Sequence, residues 1–135
     1  MMDAVVSAED AVLALAEAYC NGVYFARPEI FEDICHDRFF MTEISADGTA
    51  QHWDKDAYLE RVKARSAFPG EVSRGILSVD VAGGEIARVH LWVDVPPRRY
   101  EDHLGFVRVD GSWKLLTKVF RTMEPLALDS EGTSA

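Results

Sequence analysis

The first third of the chain carries apolar side chains at the spacing of amphipathic helices. From Ser7 onward they recur every three or four positions, at Ala8, Val12, Leu15, Tyr19 and Val23. Ser7 followed by Asp10 fits a capped helix start, and Asn21-Gly22 weakens the helix at its end. Pro28 then opens a second, short helix whose apolar side consists of Ile30, Phe31 and Ile34. The pattern predicts a helical hairpin.

A β-hairpin and a third helix are predicted next. Residues 38–44 are rich in aromatic and β-favouring side chains, and the turn composition Ala46-Asp47-Gly48 joins them to a second run at 49–53. Asp54 can cap a helix from residue 55 to about residue 67, which a Pro-Gly pair then ends. The apolar stripe of this helix consists of Tyr58, Leu59 and Val62.

The second half of the chain alternates β-favouring runs with turn-forming residues. The runs are 74–81, 85–95, 100–109 and 113–123, and the turns are Ala82-Gly83-Gly84, Pro96-Pro97 and Asp110-Gly111. Helices that come first and an antiparallel meander that follows predict an α+β fold. We expect residues 1–124 to form one domain and residues 125–135 to form a flexible C-terminal tail.

Composition narrows the classes of function. The chain has 135 residues, 48% hydrophobic and 27% charged, as is typical of a single globular domain. Its net charge of −9 argues against binding to nucleic acid or anionic membranes, because both carry the same sign. No apolar run reaches the ~20 residues that span a bilayer, and the first residues lack the basic start of a secretory signal. We therefore expect a soluble, cytoplasmic protein.

The cysteine and histidine residues do not have the spacing of metal ligands. Cys20 and Cys35 form no CxxC pattern, which suits reduced thiols in a cytoplasm-like compartment. The four histidines show neither HxH nor HExxH spacing. We expect no metal and no cofactor.

The two faces of the late strands differ in composition, because successive side chains of a strand point to opposite sides. In the run 85–95, the apolar side consists of Ala87, Val89, Leu91 and Val93. In the last run, the drier side consists of Trp113, Leu115, Thr117 and Val119. If the Asp110-Gly111 turn sets the register of its hairpin, His103 and Gly105 lie on this drier side.

The opposite face is too aromatic for solvent and too charged for a core. It carries Arg88, His90, Trp92, Leu104, Phe106, Leu116, Lys118 and Phe120. A self-complementary interface fits this mixture, so we predict a homodimer through the face of His90, Trp92, Phe106 and Lys118. Asp102 and Lys118 would form a diagonal ion pair on it. The alternative is a monomer whose Lys and Arg side chains cover this outer face.

Short motifs along the chain occur in a characteristic order and spacing. They are Glu17-Ala18-Tyr19, residues 28–31, Cys35-His36-Asp37, Trp53 with Tyr58-Leu59, residues 75–81, residues 100–104, and residues 110–115 with Lys118-Val119-Phe120. Over residues 5–120 they resemble the nuclear transport factor 2-like superfamily, and within it the group called putative lumazine-binding proteins. The resemblance implies a cone-shaped fold in which a curved antiparallel sheet wraps around N-terminal helices, with a pocket between them and commonly a dimer.

This superfamily includes ketosteroid isomerases, polyketide cyclases, dehydratases and transport adaptors, so the resemblance leaves the function open. Tyr19 resembles the tyrosine that donates to the oxyanion in the isomerases. Their catalytic aspartate aligns best with Thr42, and Glu43 would point to the opposite face. The position of their second oxyanion donor holds His103 or Gly105.

His103 is the strongest catalytic candidate, because imidazole titrates near neutral pH and this one is predicted to project among apolar residues. With Tyr19 or Tyr58 it would act as a general acid–base pair. The alternative is a histidine and a tyrosine that belong to the core. His36 and His52 are predicted at turns or strand ends, and His90 is predicted on the dimer face.

Aromatic and flexible apolar side chains predict a pocket for a flat, mostly apolar ligand. The predicted ligand-binding residues are Tyr19, Phe39, Met41, Trp53, Tyr58, His103 and Trp113, although packing alone also explains most of them. Three functions remain open: a small-molecule-binding protein for an apolar or aromatic ligand, a cofactor-free isomerase, polyketide cyclase or dehydratase that uses Tyr19 and His103, and a structural or adaptor dimer without ligand.

Overall fold

Three helices and six strands make up the part of the chain that this computed structural model describes, residues 7–123. The helices are α1 (Ala8–Tyr24), α2 (Pro28–Ile34) and α3 (Lys55–Lys63). The strands are β1 (Cys35–Ile44), β2 (Ala50–Asp54), β3 (Arg74–Ala82), β4 (Ile86–Val95), β5 (Arg98–Val109) and β6 (Ser112–Thr122). The predicted α+β class is confirmed. The predicted tail at 125–135 lies outside the described residues.

Side-chain caps begin two of the helices, as the sequence predicted. The Ser7 hydroxyl accepts a hydrogen bond of 3.0 Å from the Asp10 amide at the start of α1. The Asp54 carboxylate accepts one of 2.8 Å from the Ala57 amide at the start of α3.

Helix α1 does not end at Asn21-Gly22 but continues to Tyr24. Gly22 is buried where α2 crosses α1, and a Cβ atom placed on it would lie 2.8 Å from the ring of Phe31. The glycine therefore permits the close packing of the two helices and does not end α1.

The six strands form one curved, unclosed sheet in the order β2-β1-β6-β5-β4-β3. Neighbouring strands are antiparallel except β1 and β6, which pair in parallel with Met41 opposite Lys118. This pair departs from the antiparallel sheet that the resemblance implied. The three helices pack on one side of the sheet, which we call the inner face, and the core lies between them.

Strand β4 has the two faces that the sequence predicted. Val89, Leu91 and Val93 are buried on the inner face. His90 and Trp92 lie on the other side, which we call the outer face, where Trp92 stacks under the Arg99 guanidinium at 3.8 Å.

The faces predicted for β5 and β6 are wrong, for two reasons. The Asp110-Gly111 turn is a two-residue connection that pairs Val109 with Ser112 and Phe106 with Leu115, a register one residue away from the predicted one. Leu116 is then an extra residue, because Gly105 pairs with Thr117. This β-bulge exchanges the two faces of β6 halfway along the strand.

The corrected register moves four of the predicted residues. Phe106 and Lys118 are 1% and 7% exposed on the inner face, so they cannot take part in a dimer through the outer face. Asp102 is also buried on the inner face. His103 is exposed on the outer face, where its ring lies 4.4 Å from that of His90. It therefore does not project among core residues as predicted.

Candidate functional site

Four polar side chains meet inside the core, each from a different element. Tyr19 comes from α1, Tyr58 from α3, Asp102 from β5 and Lys118 from β6. The tyrosines lie on the apolar stripes of their helices, whereas Asp102 and Lys118 face inward because of the corrected register. We call these four residues the buried polar cluster.

Hydrogen bonds and aromatic rings hold the cluster together. The Tyr19 hydroxyl donates to Oδ2 of Asp102, and Nζ of Lys118 donates to the Tyr58 hydroxyl at 3.3 Å. The ammonium also lies 5.0, 4.9 and 4.5 Å from the ring centroids of Tyr19, Tyr58 and Phe120. Cation–π attraction from three rings thus replaces part of its lost hydration.

The Asp102 carboxylate is only partly satisfied. Its Oδ2 accepts from Tyr19, but its Oδ1 is buried with no hydrogen-bond partner among the described residues. An unpaired buried oxygen of this kind costs stability and is rare in folded proteins.

Burial shifts the pKa of each member of the cluster in the direction that favours the neutral form of its side chain. It raises the pKa of Asp102, against the opposing charge of Lys118 and the hydrogen bond from Tyr19. It lowers the pKa of Lys118 to about 8, against the attraction of Asp102, while the like charges of Arg65 and Arg61 lower it further. Burial also raises the pKa of both tyrosines well above the ordinary value, so both remain neutral donors.

A narrow chamber adjoins the buried polar cluster and lies beside a wider cleft. The inner chamber has a volume of about 10 Å³, room for about one water molecule. It is lined by Tyr19, Val23, Met41, Tyr58, Arg61, Arg65, Val93, Val95, Tyr100, Lys118 and Phe120. The outer cleft has a volume of about 470 Å³ and is lined by residues 65–68, 95–98 and Tyr100. Arg65, Val95 and Tyr100 line both spaces, so the chamber and the cleft are neighbours.

The predicted ligand-binding residues fall into two groups. Tyr19, Met41 and Tyr58 line the inner chamber. The other four do not line the inner chamber. Phe39 stacks on Tyr58 at 5.6 Å, Trp53 packs against Phe120 at 6.3 Å, Trp113 is half-buried near the start of β6, and His103 is on the outer face.

The end of β1 differs from the predicted arrangement. Thr42 points to the outer face, where its hydroxyl lies 2.8 Å from Nδ1 of His52. Glu43 is on the inner face, opposite Phe120 in the parallel pair, and its carboxylate accepts a hydrogen bond of 3.1 Å from Thr122. The carboxylate is therefore on the side where the threonine was expected, although it does not line the inner chamber.

Sequence reasoning missed Asp102, Lys118, Arg61 and Arg65 as site residues. A signal for Asp102 was present, because it shares a strand face with the large apolar residues Leu104 and Phe106, whereas the opposite face carries His103 and Gly105. None marked Lys118, whose facing depends on the β-bulge. No comparable signal existed for the arginines, which lie on the polar side of a helix and just beyond its end.

Two other kinds of site were sought within residues 7–123. No group of three or more His, Cys, Asp or Glu side chains there could hold a metal ion. No helix there is long and apolar enough to cross a membrane.

Comparison with known proteins assigns the chain to a family. A sequence model of the family described as putative lumazine-binding matches residues 7–121. The chain belongs to this family. No protein of curated function matches it significantly.

Solved structures share the fold of this chain. An NTF2-like protein of unknown function from Silicibacter pomeroyi is 25% identical, with a TM-score of 0.73 over 84% of this chain and 93% of that chain. One from Shewanella baltica is 16% identical, with a TM-score of 0.79 over 91% and 99% of the two chains. A ketosteroid isomerase-like protein from Erwinia carotovora is also 16% identical, with a TM-score of 0.69 over 90% and 100%.

Replacing the buried lysine together with its acidic neighbour should increase the stability of the protein. In the double variant Asp102→Asn/Lys118→Met, the cost of burying two charges disappears, whereas Lys118→Met alone would leave the buried Asp102 carboxylate without its counter-charge. We expect the free energy of unfolding of the double variant at pH 7 to be higher than that of the wild type by about 1–3 kcal/mol, as measured by urea denaturation at fixed protein concentration. A loss of stability would show that the pair has a structural role.

The same pair of proteins should differ in pH dependence. The unfolded lysine keeps its proton up to the ordinary pKa of 10.5, whereas folded Lys118 releases it near 8. Between these values the unfolded chain binds more protons, so rising pH favours the folded wild type. From pH 7.5 to 9.5 the advantage of the double variant should shrink by about 2 kcal/mol. The control Lys114→Met, in the same strand but outside the cluster, should show no such change relative to the wild type.

Proposed function

We propose that this protein binds a small apolar or aromatic molecule in the outer cleft, with the inner chamber as the closed end of the site. The observation that carries this proposal is the buried Lys118 ammonium at that closed end. A core that served only stability would gain from apolar side chains in place of Lys118 and its buried partner Asp102. Natural proteins retain such costly groups where function needs them.

The size and lining of the cleft support this proposal. Its volume of about 470 Å³ falls within the range of roughly 300–1,000 Å³ that is typical of small-molecule sites. Phe68, Val95 and Tyr100 offer apolar and aromatic surface, and rigid rings provide contact area at little cost in conformational entropy. The description of the family also names a small aromatic ligand class.

Filling the outer cleft should abolish binding. Ala67 is an exposed residue that lines the cleft, whereas Ala64 is exposed at the end of α3 and does not line it. We expect the wild type to bind the neutral fluorescent probe N-phenyl-1-naphthylamine. Ala67→Trp should weaken this binding at least tenfold, whereas the matched control Ala64→Trp should leave it within twofold. Equal binding by both variants would place the probe elsewhere and contradict the proposal.

A second candidate function is enolate chemistry by a cofactor-free isomerase. The observation that favours it is the hydrogen bond between Tyr19 and Asp102, because a buried phenol beside a carboxyl of raised pKa resembles the oxyanion site of ketosteroid isomerases. His103 has no part in this version, since it lies on the outer face. Glu43 would take the proton next to a ligand carbonyl, and the electron pair would move to the carbonyl oxygen. Tyr19 would stabilise this oxyanion after its hydroxyl turned from Asp102 to the ligand.

Proton exchange tests the isomerase candidate without knowledge of the substrate. With 2-tetralone in D₂O, we expect wild-type protein to accelerate loss of the α-proton NMR signal over buffer. Tyr19→Phe and Glu43→Gln should each reduce the acceleration at least tenfold. The control is Tyr24→Phe, because that hydroxyl of the same helix donates to the Pro69 carbonyl and lies outside the cluster. Exchange no faster than in buffer would eliminate this candidate.

We also infer a homodimer, through a patch of the outer face that differs from the one predicted. Three large apolar residues of adjacent strands are exposed there: Phe40 by 49%, Ile44 by 43% and Val119 by 52%. His103 lies beside Val119 in the β5–β6 register, and His90 stacks on it. An apolar patch rimmed by polar side chains is typical of an interface between copies of one chain.

A charge placed in this patch should separate the two chains. We expect light scattering at micromolar concentration to report twice the chain mass of 15.1 kDa for the wild type and one chain for Val119→Glu. Val109→Glu is the matched control, since Val109 is 41% exposed at the far end of β5. It should remain dimeric. A monomeric wild type would refute the inferred dimer.

A further inference from the structure

Positive charges converge on the cleft although the chain as a whole is acidic. Lys118, Arg61 and Arg65 line the inner chamber, and Arg65 and Arg98 line the outer cleft. Among residues 7–123, no carboxylate lines either space. The net charge of the chain is −9. The cleft is thus a local exception to the charge of the molecule.

The two arginines of the chamber are not neutralised by neighbouring acids. Neither guanidinium forms an ion pair with another residue in the described range of 7–123. That of Arg61 lies 4.7 Å from the ring centroid of Trp53, a contact that leaves its charge uncompensated.

Asp102 offsets part of this charge. It attracts Lys118, but it is fully buried, accepts from Tyr19 and does not line the chamber. With Asp102 and Lys118 both ionised, their charges cancel and those of Arg61 and Arg65 remain. Two uncompensated positive charges at the closed end of a cleft destabilise the empty protein and stabilise a bound anion.

We propose that the ligand is an aromatic or apolar carboxylate, whose carboxylate group enters the closed end and is held by Arg65, Arg61 and Lys118. This inference rests on the proposed function and adds the chemical class of the ligand. The guanidinium group binds a carboxylate with two parallel hydrogen bonds. A planar carboxylate also suits a narrow chamber between aromatic rings better than a tetrahedral phosphate does. The apolar part of the ligand would fill the outer cleft against Phe68 and Tyr100.

Matched probes of one aromatic size test the charge preference. We would titrate the wild type with 2-naphthoate, the neutral 2-naphthamide and 2-naphthyl phosphate at pH 7, at low and at high salt. We expect 2-naphthoate to bind at least tenfold more tightly than either of the other two at low salt. The advantage should shrink at high salt, because the arginines are in contact with solvent.

Variants identify the charges responsible. Lys118→Met and Arg65→Met should each weaken binding of 2-naphthoate at least tenfold and leave binding of 2-naphthamide within twofold. Arg108→Met, which removes an exposed charge of β5 remote from the cleft lining, should change neither.

The outcomes separate this inference from the proposed function. Equal affinity for 2-naphthoate and 2-naphthamide, or unchanged 2-naphthoate binding in both cleft variants, would overturn the carboxylate assignment while small-molecule binding stands. Tighter binding of 2-naphthyl phosphate than of 2-naphthoate would also overturn it and assign the site to phosphate esters. If none of the naphthyl probes binds and N-phenyl-1-naphthylamine does not bind either, both the inference and the proposed function fall.

Discussion

The register of the β5–β6 hairpin determines which side chains enter the core. The pairing of Phe106 with Leu115 and the extra residue Leu116 place Asp102, Leu104, Lys118 and Phe120 on the inner face. A shift of one residue in β6 would turn Lys118 and Phe120 to the outer face and bring Val119 inward, while Asp102 and Leu104 would stay opposite Leu91 and Val89 of β4. The core, the buried polar cluster and the apolar patch of the outer face therefore all depend on this one alignment of two strands.

The buried polar cluster is an expensive feature of a small domain. Folding removes both the Lys118 ammonium and the Asp102 carboxylate from water. In the described structure Lys118 donates its hydrogen bond to Tyr58 and not to Asp102, and one oxygen of Asp102 has no hydrogen-bond partner. Three aromatic rings and the attraction of Asp102 compensate in part. The remaining cost is of the kind that a ligand can repay, since a bound group could complete the hydrogen bonds and balance the charges.

Charge is distributed in a way that suits recognition of a small anion. The net charge of −9 repels polyanions, whereas the cationic lining of the cleft fits the small anion that we propose as its ligand. The charges of Arg61 and Arg65 also lower the pKa of Lys118, so the three cations form one electrostatic unit. Solved relatives at 10–25% identity share the fold with this chain, and the fold alone does not specify which molecule a member binds.

Local patterns in the sequence determined the elements of this protein. The helix caps at Ser7 and Asp54, the apolar stripe that contains Tyr19, and the turn at Asp110-Gly111 act over a few residues, so the α+β class and the order of elements followed from them. Tertiary structure alone decided the site. Because side chains alternate along a strand, a β-bulge that no local signal marks decided that Lys118 faces inward and Val119 outward. The arginines joined the site only when α3 packed against the sheet, since contacts between residues distant in sequence depend on the whole fold.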